Sequence, residues 1–336
     1  MKAIAAIQEA GSAASRLVPL DVATPVIGER DVLVQVKAVA ANPVDYKVRD
    51  GMAPGDKRIL GWDAAGVVTG VGSKVLAFQP GDRVWYAGHI EREGAYAAFQ
   101  AVDERIVSHM PSSLGFEEAA ALPLASITAW EILFDRFRTH LTTPGHQKSI
   151  LIVGGAGGVG STLVQLAAKV AHLKVIATAS RPESVQWVRG LGARHVIDPR
   201  ADWREQLSAL NVHSVDYVAS LTASGEHVAK SADILSPQGA FSLIDDPAHF
   251  DVGVFKRKSI SIHWELMFTR PLYETSDLHE QGRLLHRVAR LVDEGVLKST
   301  ANGPVRNLDA ETLEATHQEL RAGKAIGKRV FSVSFD

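Results

Sequence analysis

Ser149-Ile150-Leu151-Ile152-Val153-Gly154-Gly155-Ala156-Gly157-Gly158-Val159-Gly160 decides the fold. An apolar run of strand length enters a glycine turn, and the turn opens into the helical pattern that follows. Gly155, Gly157 and Gly160 have the G-x-G-x-x-G spacing of a dinucleotide site: one residue for the tight turn, one for close approach of backbone to a pyrophosphate, one for packing helix on strand. The N–H groups of Gly155, Ala156, Gly157, Gly158, Val159 and Gly160, with the positive end of the helix dipole, then face the phosphates.

The next strand, Lys174-Val175-Ile176-Ala177-Thr178-Ala179, addresses which dinucleotide is bound. A site for NAD carries an acidic side chain at this strand's tip, about 20 residues after the turn, to receive the ribose 2′-hydroxyl. Here the tip reads Thr178-Ala179-Ser180-Arg181-Pro182 and holds no acid. Ser180 and Arg181 offer a hydroxyl and a planar fork of donors, which suit a 2′-phosphate. The expected cofactor is NADPH. A second role for Ser180, capping a helix that starts near Pro182, is compatible with the first.

Working outward, strands and helices alternate from about residue 126, with strands at Ile150 to Val153, Lys174 to Ala179, His195 to Ile197, Val215 to Ala219 and Ala240 to Ile244. This implies a doubly wound parallel sheet. The first hundred residues differ, with short β segments between turns at Asp31 to Val39, Gly66 to Gly72 and Asp82 to Tyr86. Leu278 to Leu297 has helical spacing, with Leu284, Leu285, Val288, Leu291 and Val292 on one face. The final Gly327 to Val333 resembles a strand returning to the first domain, so the parallel sheet is expected as an insertion: residues 1–125 with 266–336 form one domain, and 126–265 the other.

Of the 336 residues, 46% are hydrophobic and 22% charged, which allows a large core and argues against disorder. Thirty-six basic side chains face 38 acidic ones with no basic stripe, so nucleic acid is not an expected partner. No apolar run reaches membrane-spanning length and the N-terminus lacks a signal-peptide pattern; the expected location is the cytoplasm, with no membrane partner. Cysteine is absent, which removes disulfides, thiolate catalysis and cysteine-ligated metal.

Several motifs in order then resemble one family: Asn42-Pro43-Val44-Asp45-Tyr46-Lys47-Val48-Arg49-Asp50-Gly51, Gly61-Trp62-Asp63-Ala64-Ala65-Gly66-Val67-Val68, Pro80-Gly81-Asp82-Arg83-Val84, Ala119-Ala120-Ala121-Leu122-Pro123, Ser126-Ile127-Thr128-Ala129-Trp130 and the Gly155 to Gly160 turn. Together they are similar to the medium-chain dehydrogenases/reductases, in particular the quinone oxidoreductase branch and its zinc-type alcohol dehydrogenase-like members. The resemblance implies an α/β fold in which a Rossmann sheet is inserted into a GroES-like β-rich catalytic domain. Zinc-using relatives carry Gly-His-Glu where this chain has Gly61-Trp62-Asp63. Trp62 cannot ligate zinc, and the 13 histidines, His89 and His263 among them, show no spacing that rebuilds a site, so no metal is expected.

The zinc-less branch reduces quinones or α,β-unsaturated carbonyls with NADPH, and that is the expected activity. A metal-free alcohol or aldehyde oxidoreductase and a non-catalytic NADPH-binding redox sensor remain open beside it. The resemblance sets Asn42 to Arg49 beside the nicotinamide, which makes Asn42 and Tyr46 candidate donors, with water as another proton source. Asp45 is a third candidate, or a turn residue paired with Lys47 or Arg49. Thr128, Thr178, Leu221, Thr222, Ile244 and Asp245 are further cofactor contacts, the last four following the fourth and fifth strands at the sheet's carboxyl edge. Trp62, Trp264, Met267 and Phe268 are candidate walls for a small apolar acceptor. Lys258-Ser259-Ile260-Ser261-Ile262-His263-Trp264 alternates as an edge strand does, and with the family likeness this predicts a homodimer through edge pairing.

Overall fold

The computed structural model describes residues 1–12, 14–141 and 147–335. The chain forms two compact units, Ala125–Met267 and, from both sides of it in sequence, Met1–Leu124 with Phe268–Asp336.

In the unit Ala125–Met267, the described residues form a six-stranded parallel sheet. Its order is His195–Ile197, Lys174–Thr178, Ser149–Val153, Val215–Ser220, Leu235–Leu243, Ser261–Trp264. Ser149–Val153 is central and buried along its whole length, which is why it reads as a continuous apolar run with no alternation. Helices Gly158–Lys169, Pro182–Leu191, Trp203–Ala209 and Ser224–Ile234 connect the strands. Leu151, Ile176, Trp203, Val218, Phe241 and Phe255 share one core cluster.

The expected edge strand is shorter than its alternation predicts. Only Ser261–Trp264 pairs, in parallel with Ala240 to Leu243. Val252–Lys258 is a 3₁₀ turn, Ser259 has φ +50°, and Lys258 folds back to donate to the carbonyls of Ala232, Asp233 and Leu235. Three orphan carbonyls at a helix end outcompeted the strand register.

The other unit is built on Asp31–Ala40, which pairs antiparallel with Ala64–Val71, Phe99–Asp103 and Val330–Ser332. A separate three-stranded antiparallel sheet holds Arg16–Asp21, Lys2–Ile7 and Lys57–Ile59. The chain's last strand therefore lies beside its third. The amphipathic helix is Glu280–Asp293, shorter at both ends than its pattern, with Leu284, Leu285, Val288 and Val292 buried and Leu291 half-buried. No helix among the described residues is long and apolar enough to cross a membrane.

Candidate active site

In the unit Ala125–Met267 the glycine turn is fitted from below and open above. Gly154 has φ +78°, the left-handed region that favours glycine, and its N–H donates to Thr178 Oγ1 at 2.9 Å. The turn thus begins one residue before the motif's first glycine. Thr178 is buried, and its hydroxyl serves the turn. A Cβ on Gly155 would lie 2.8 Å from Ala177 Cβ, and one on Gly160 would lie 2.3 Å from the Gly154 carbonyl oxygen. Those two glycines are demanded by packing. At Gly157 the nearest atom to a Cβ is 3.5 Å away, the Gly154 carbonyl oxygen.

Gly157 is also the N-cap of Gly158–Lys169, and no side chain caps that helix. The first-turn N–H groups of Gly158, Val159 and Gly160 are left for an anion, and Ala156 turns its carbonyl to the Ser161 hydroxyl. The residues present fit a dinucleotide pyrophosphate.

Around this turn stand most of the predicted cofactor residues. Leu221 and Thr222 flank Gly154, with Thr222 Cγ2 3.1 Å and Leu221 Cβ 3.7 Å from its Cβ position. Ile244 and Asp245 follow Leu235–Leu243; Asp245 Oδ2 accepts from the Ser224 N–H at 2.9 Å at a helix start, while its Oδ1 is buried without a hydrogen-bond partner. Thr128 is buried in helix Pro123–Trp130.

Ser180 is exposed but is not the helix cap. That position belongs to Arg181, whose N–H donates to Ser184 Oγ at 3.1 Å while Ser184 donates to the Arg181 carbonyl at 2.7 Å. The Arg181 side chain is 40% exposed, with Nε 3.5 Å from Glu183 Oε1. Two features of this unit escaped the sequence reading. Trp187 donates to Ser161 Oγ, and buried Glu265 pairs with Arg136 at 2.7 Å. The signal for Glu265 was an acid set between Trp264 and the apolar Leu266-Met267-Phe268.

A separate group of the predicted residues lies in the unit Met1–Leu124 with Phe268–Asp336, and here polar groups are buried together. Strand Asp31–Ala40 assembles them. Its pairing of Val39 with Ala64 brings up Asp63, and its pairing of Ala40 with Val330, continued by the Ala41 N–H to the Arg329 carbonyl, brings up Lys328. Asn42 sits where both arrive. Its Nδ2 donates to Asp63 Oδ2 at 2.9 Å and to the Trp62 carbonyl at 3.3 Å, and its Oδ1 accepts from Lys328 Nζ. Lys328 also meets Asp63 Oδ2 at 2.7 Å, and Asp63 Oδ1 accepts from the Leu124 N–H at 2.8 Å. Both ends of the Asn42 amide are engaged inside this network.

Asn42 is the N-cap of Pro43–Asp50, with Pro43 at the first helical position. Three residues on, Asp45 Oδ2 accepts from the Asn42 N–H at 2.7 Å and from Tyr96 Oη at 2.6 Å. Asp45 is completely buried and its Oδ1 has no hydrogen-bond partner. Burial pushes its carboxyl up to about 7, against the downward pull of the Tyr96 and Asn42 donors. Burial also raises Asp63, opposed chiefly by the Lys328 ammonium. Of the two pairings open to Asp45, the one with Arg49 does not form: Arg49 bonds Ser15 and pairs with Glu314 at 2.5 Å. A salt bridge at i, i+4 loses here because Asp45 faces the core.

Tyr46 stands apart from this network. It is half-buried, with the Arg321 guanidinium 4.5 Å from its ring centroid, so the structure joins Asn42 to Asp45 but directs Tyr46 to helix Ala310–Arg321. The predicted acceptor walls are also divided. Trp62 and Phe268 are buried in this unit, edge to face at 6.2 Å, with the Trp62 indole donating to the His89 carbonyl at 3.2 Å. Met267 is buried in the other unit, whereas Trp264 is 57% exposed there. His89 is structural: its Nδ1 accepts from the Glu91 N–H and its Nε2 meets the Pro271 carbonyl, each at 3.0 Å. Among the described residues no group of three or more His, Cys, Asp or Glu is placed to hold a metal ion.

Comparison with known proteins agrees with this geometry. The family model "alcohol dehydrogenase GroES-like domain" matches residues 28–117, and "zinc-binding dehydrogenase" matches residues 158–279. A zinc-type alcohol dehydrogenase-like protein of Staphylococcus aureus is 35% identical over 90% of this chain and 91% of its own length. An NADPH-dependent alkenal/one oxidoreductase of Arabidopsis thaliana is 40% identical over 53% of this chain and 47% of its own. The crystal structure of a putative zinc-dependent alcohol dehydrogenase protein from Rhizobium etli superposes with a TM-score of 0.93 at 48% identity, covering 100% of this chain and 99% of that one. A nicotinamide-binding sheet and a GroES-like unit in one chain, matched along nearly its whole length, make this protein an oxidoreductase of the medium-chain dehydrogenase/reductase superfamily.

Proposed function

We propose that the protein is a zinc-independent, NADPH-dependent reductase that delivers hydride to a quinone or to the carbon–carbon double bond of an α,β-unsaturated carbonyl. The observation that carries the metal-free part is the state of Asp63. Its two oxygens are committed to an ammonium, an amide and a backbone N–H, and its neighbour is a buried tryptophan. Such a set does not fit a divalent cation, which needs three protein ligands and an open position. A reductase without a Lewis acid suits acceptors that are already electrophilic.

When bound, the reduced nicotinamide supplies the hydride. The chain's own residues do the holding: first-turn N–H groups of Gly158–Lys169 take the pyrophosphate, and Arg181 with Ser180 takes the 2′-phosphate at a strand tip that has no acid. Asn42 and Asp45, locked by Lys328, Asp63 and Tyr96, give the helix Pro43–Asp50 one fixed entry geometry. With Tyr46 directed to Arg321, water is the proton source we favour. The Arabidopsis relative, an NADPH-dependent alkenal/one oxidoreductase, supports the enone half of this reading. A homodimer through the edge strand Ser261–Trp264, ending in the exposed Trp264, and a cytoplasmic location belong to the same proposal.

The test is the initial rate of NADPH loss with 1,4-benzoquinone, 9,10-phenanthrenequinone and a short enone, in parallel with NADH and with a chelator. Acceptor-dependent oxidation that prefers NADPH and survives chelation is the expected result. Tight NADPH binding without turnover on any acceptor overturns the enzymatic reading, and loss of activity on chelation overturns the metal-free one.

A further inference from the structure

Trp187 lies in the helix Pro182–Leu191, which begins beside Arg181. Half-buried, it donates its indole Nε1–H to Ser161 Oγ at 2.8 Å. Ser161 is fully buried and directly follows the last motif glycine. Its hydroxyl passes the bond on to the Ala156 carbonyl at 3.3 Å, and its own N–H donates to the Gly157 carbonyl at 2.8 Å. A hydroxyl has one proton to give and lone pairs to receive, so this Ser161 accepts from the indole and donates to the turn. Val188 reinforces the contact, its Cγ1 lying 3.5 Å from the Cβ position of Gly155. At the helix start, Ser184 bonds both the N–H and the carbonyl of Arg181. Arg181 and the glycine turn are thus the two ends of one hydrogen-bonded strut.

We propose that Trp187, acting through Ser161, is a positioning residue that sets the spacing between the pyrophosphate turn and Arg181, and thereby the preference for NADPH over NADH. This rests on the NADPH reading above. A helix moves as a rigid rod, so an indole anchored about 9 Å along the axis from Arg181 fixes where that residue stands. The pyrophosphate and the 2′-phosphate belong to one ligand of fixed span. An error in the spacing of the two protein anchors therefore sacrifices the second contact and spares the first, because charge-assisted hydrogen bonds weaken steeply with distance and angle. Glu183, 3.5 Å from Arg181 Nε, offers the arginine a competing carboxylate when it is displaced.

The experiment measures dissociation constants of the full chain for NADPH and NADH by nucleotide fluorescence, in wild type, Trp187→Phe, Ser161→Ala, the double variant, and each of these with Arg181→Ala. Phenylalanine keeps the packing and removes the donor, and Ser161→Ala deletes one atom should the larger change disturb folding. Each single variant is expected to lower the NADPH:NADH preference about three- to tenfold, the range of one hydrogen bond, with NADH affinity held within about twofold. The double variant should lose no more than either single one, and in the Arg181→Ala background neither should change the ratio further. Equal weakening of both coenzymes, or a ratio that still falls without Arg181, overturns the inference and leaves a merely structural bond. A wild type with no preference overturns the NADPH reading itself, and this inference with it.

Discussion

At the Gly154–Gly160 turn the N–H groups of Gly154 and Gly157 are bonded to Thr178 and to the Gly154 carbonyl, and the donors to spare are the backbone N–H groups of Gly158 to Gly160, contiguous in sequence with no side chain capping them. Around Asn42 the polar groups are side chains gathered from residues 42, 45, 63, 96 and 328, bonded to one another and buried. The first arrangement is cheap to build and binds, because a helix start has donors to spare. The second is costly and holds. Two carboxyl groups and an ammonium taken out of water lose several kcal/mol each in hydration, offset only while every partner stays in place. Turn and network thus differ in how each should fail.

The sharpest break is Lys328→Met, which leaves Asp63 buried with its counter-ion gone. It should destabilise the unit Met1–Leu124 with Phe268–Asp336 by about 3–5 kcal/mol, read as an earlier urea transition. Adding Asp63→Asn should restore most of that loss, because the remaining amide no longer requires an ammonium. A double variant no more stable than the single one would show that Lys328 acts by packing.

A smaller break is expected at the turn. Gly160→Ala forces a Cβ within 2.3 Å of the Gly154 carbonyl oxygen, and should cost about 1–3 kcal/mol and most of the nucleotide affinity. Gly157→Ala meets nothing closer than 3.5 Å, so the melting temperature should hold while NADPH binding weakens. If both variants melt alike, the division into packed and open glycines is wrong.

The finest test concerns a sign. Asp45 rises from 3.8 to about 7 in the folded chain, so between those values the native state binds a proton that the unfolded state has released. Its contribution to stability is full below about pH 4 and is lost as pH climbs to about 7. His317, buried and pushed down to about 4 mainly by burial, works in the opposite sense, its contribution being lost as pH falls from 6.5. The difference between wild type and Asp45→Asn isolates the aspartate. Asparagine's carbonyl oxygen can receive both donors that now reach Oδ2, so the variant should gain on wild type steadily from pH 4 to 7. A difference that stays flat across that range would mean Asp45 is ionised throughout.

The dinucleotide half was readable because its signals are local. An apolar strand, a glycine spacing and a strand tip without an acid lie within about 30 residues, and each acts on its neighbours. Thr178 was legible as a cofactor contact at the strand tip and Trp187 only as part of the helix that follows, and neither as a support of the turn, since their partners Gly154 and Ser161 are 24 and 26 residues away in sequence. Capping passed from Ser180 to Arg181 and Ser184 for a reason invisible in a string: the chain turns one residue later than the composition suggests.

By itself, then, the sequence determined the alternation that makes a parallel sheet, the turn that suits a pyrophosphate and the lack of cysteine ligands, all consequences of short-range geometry and residue chemistry. Tertiary structure alone decided that Lys328 lies against Asn42, 286 residues earlier, that Asp45 meets Tyr96, and that Tyr46 turns to Arg321. Those contacts depend on which strands flank Asp31–Ala40 and on which helix face is buried, and both are settled by packing the whole unit.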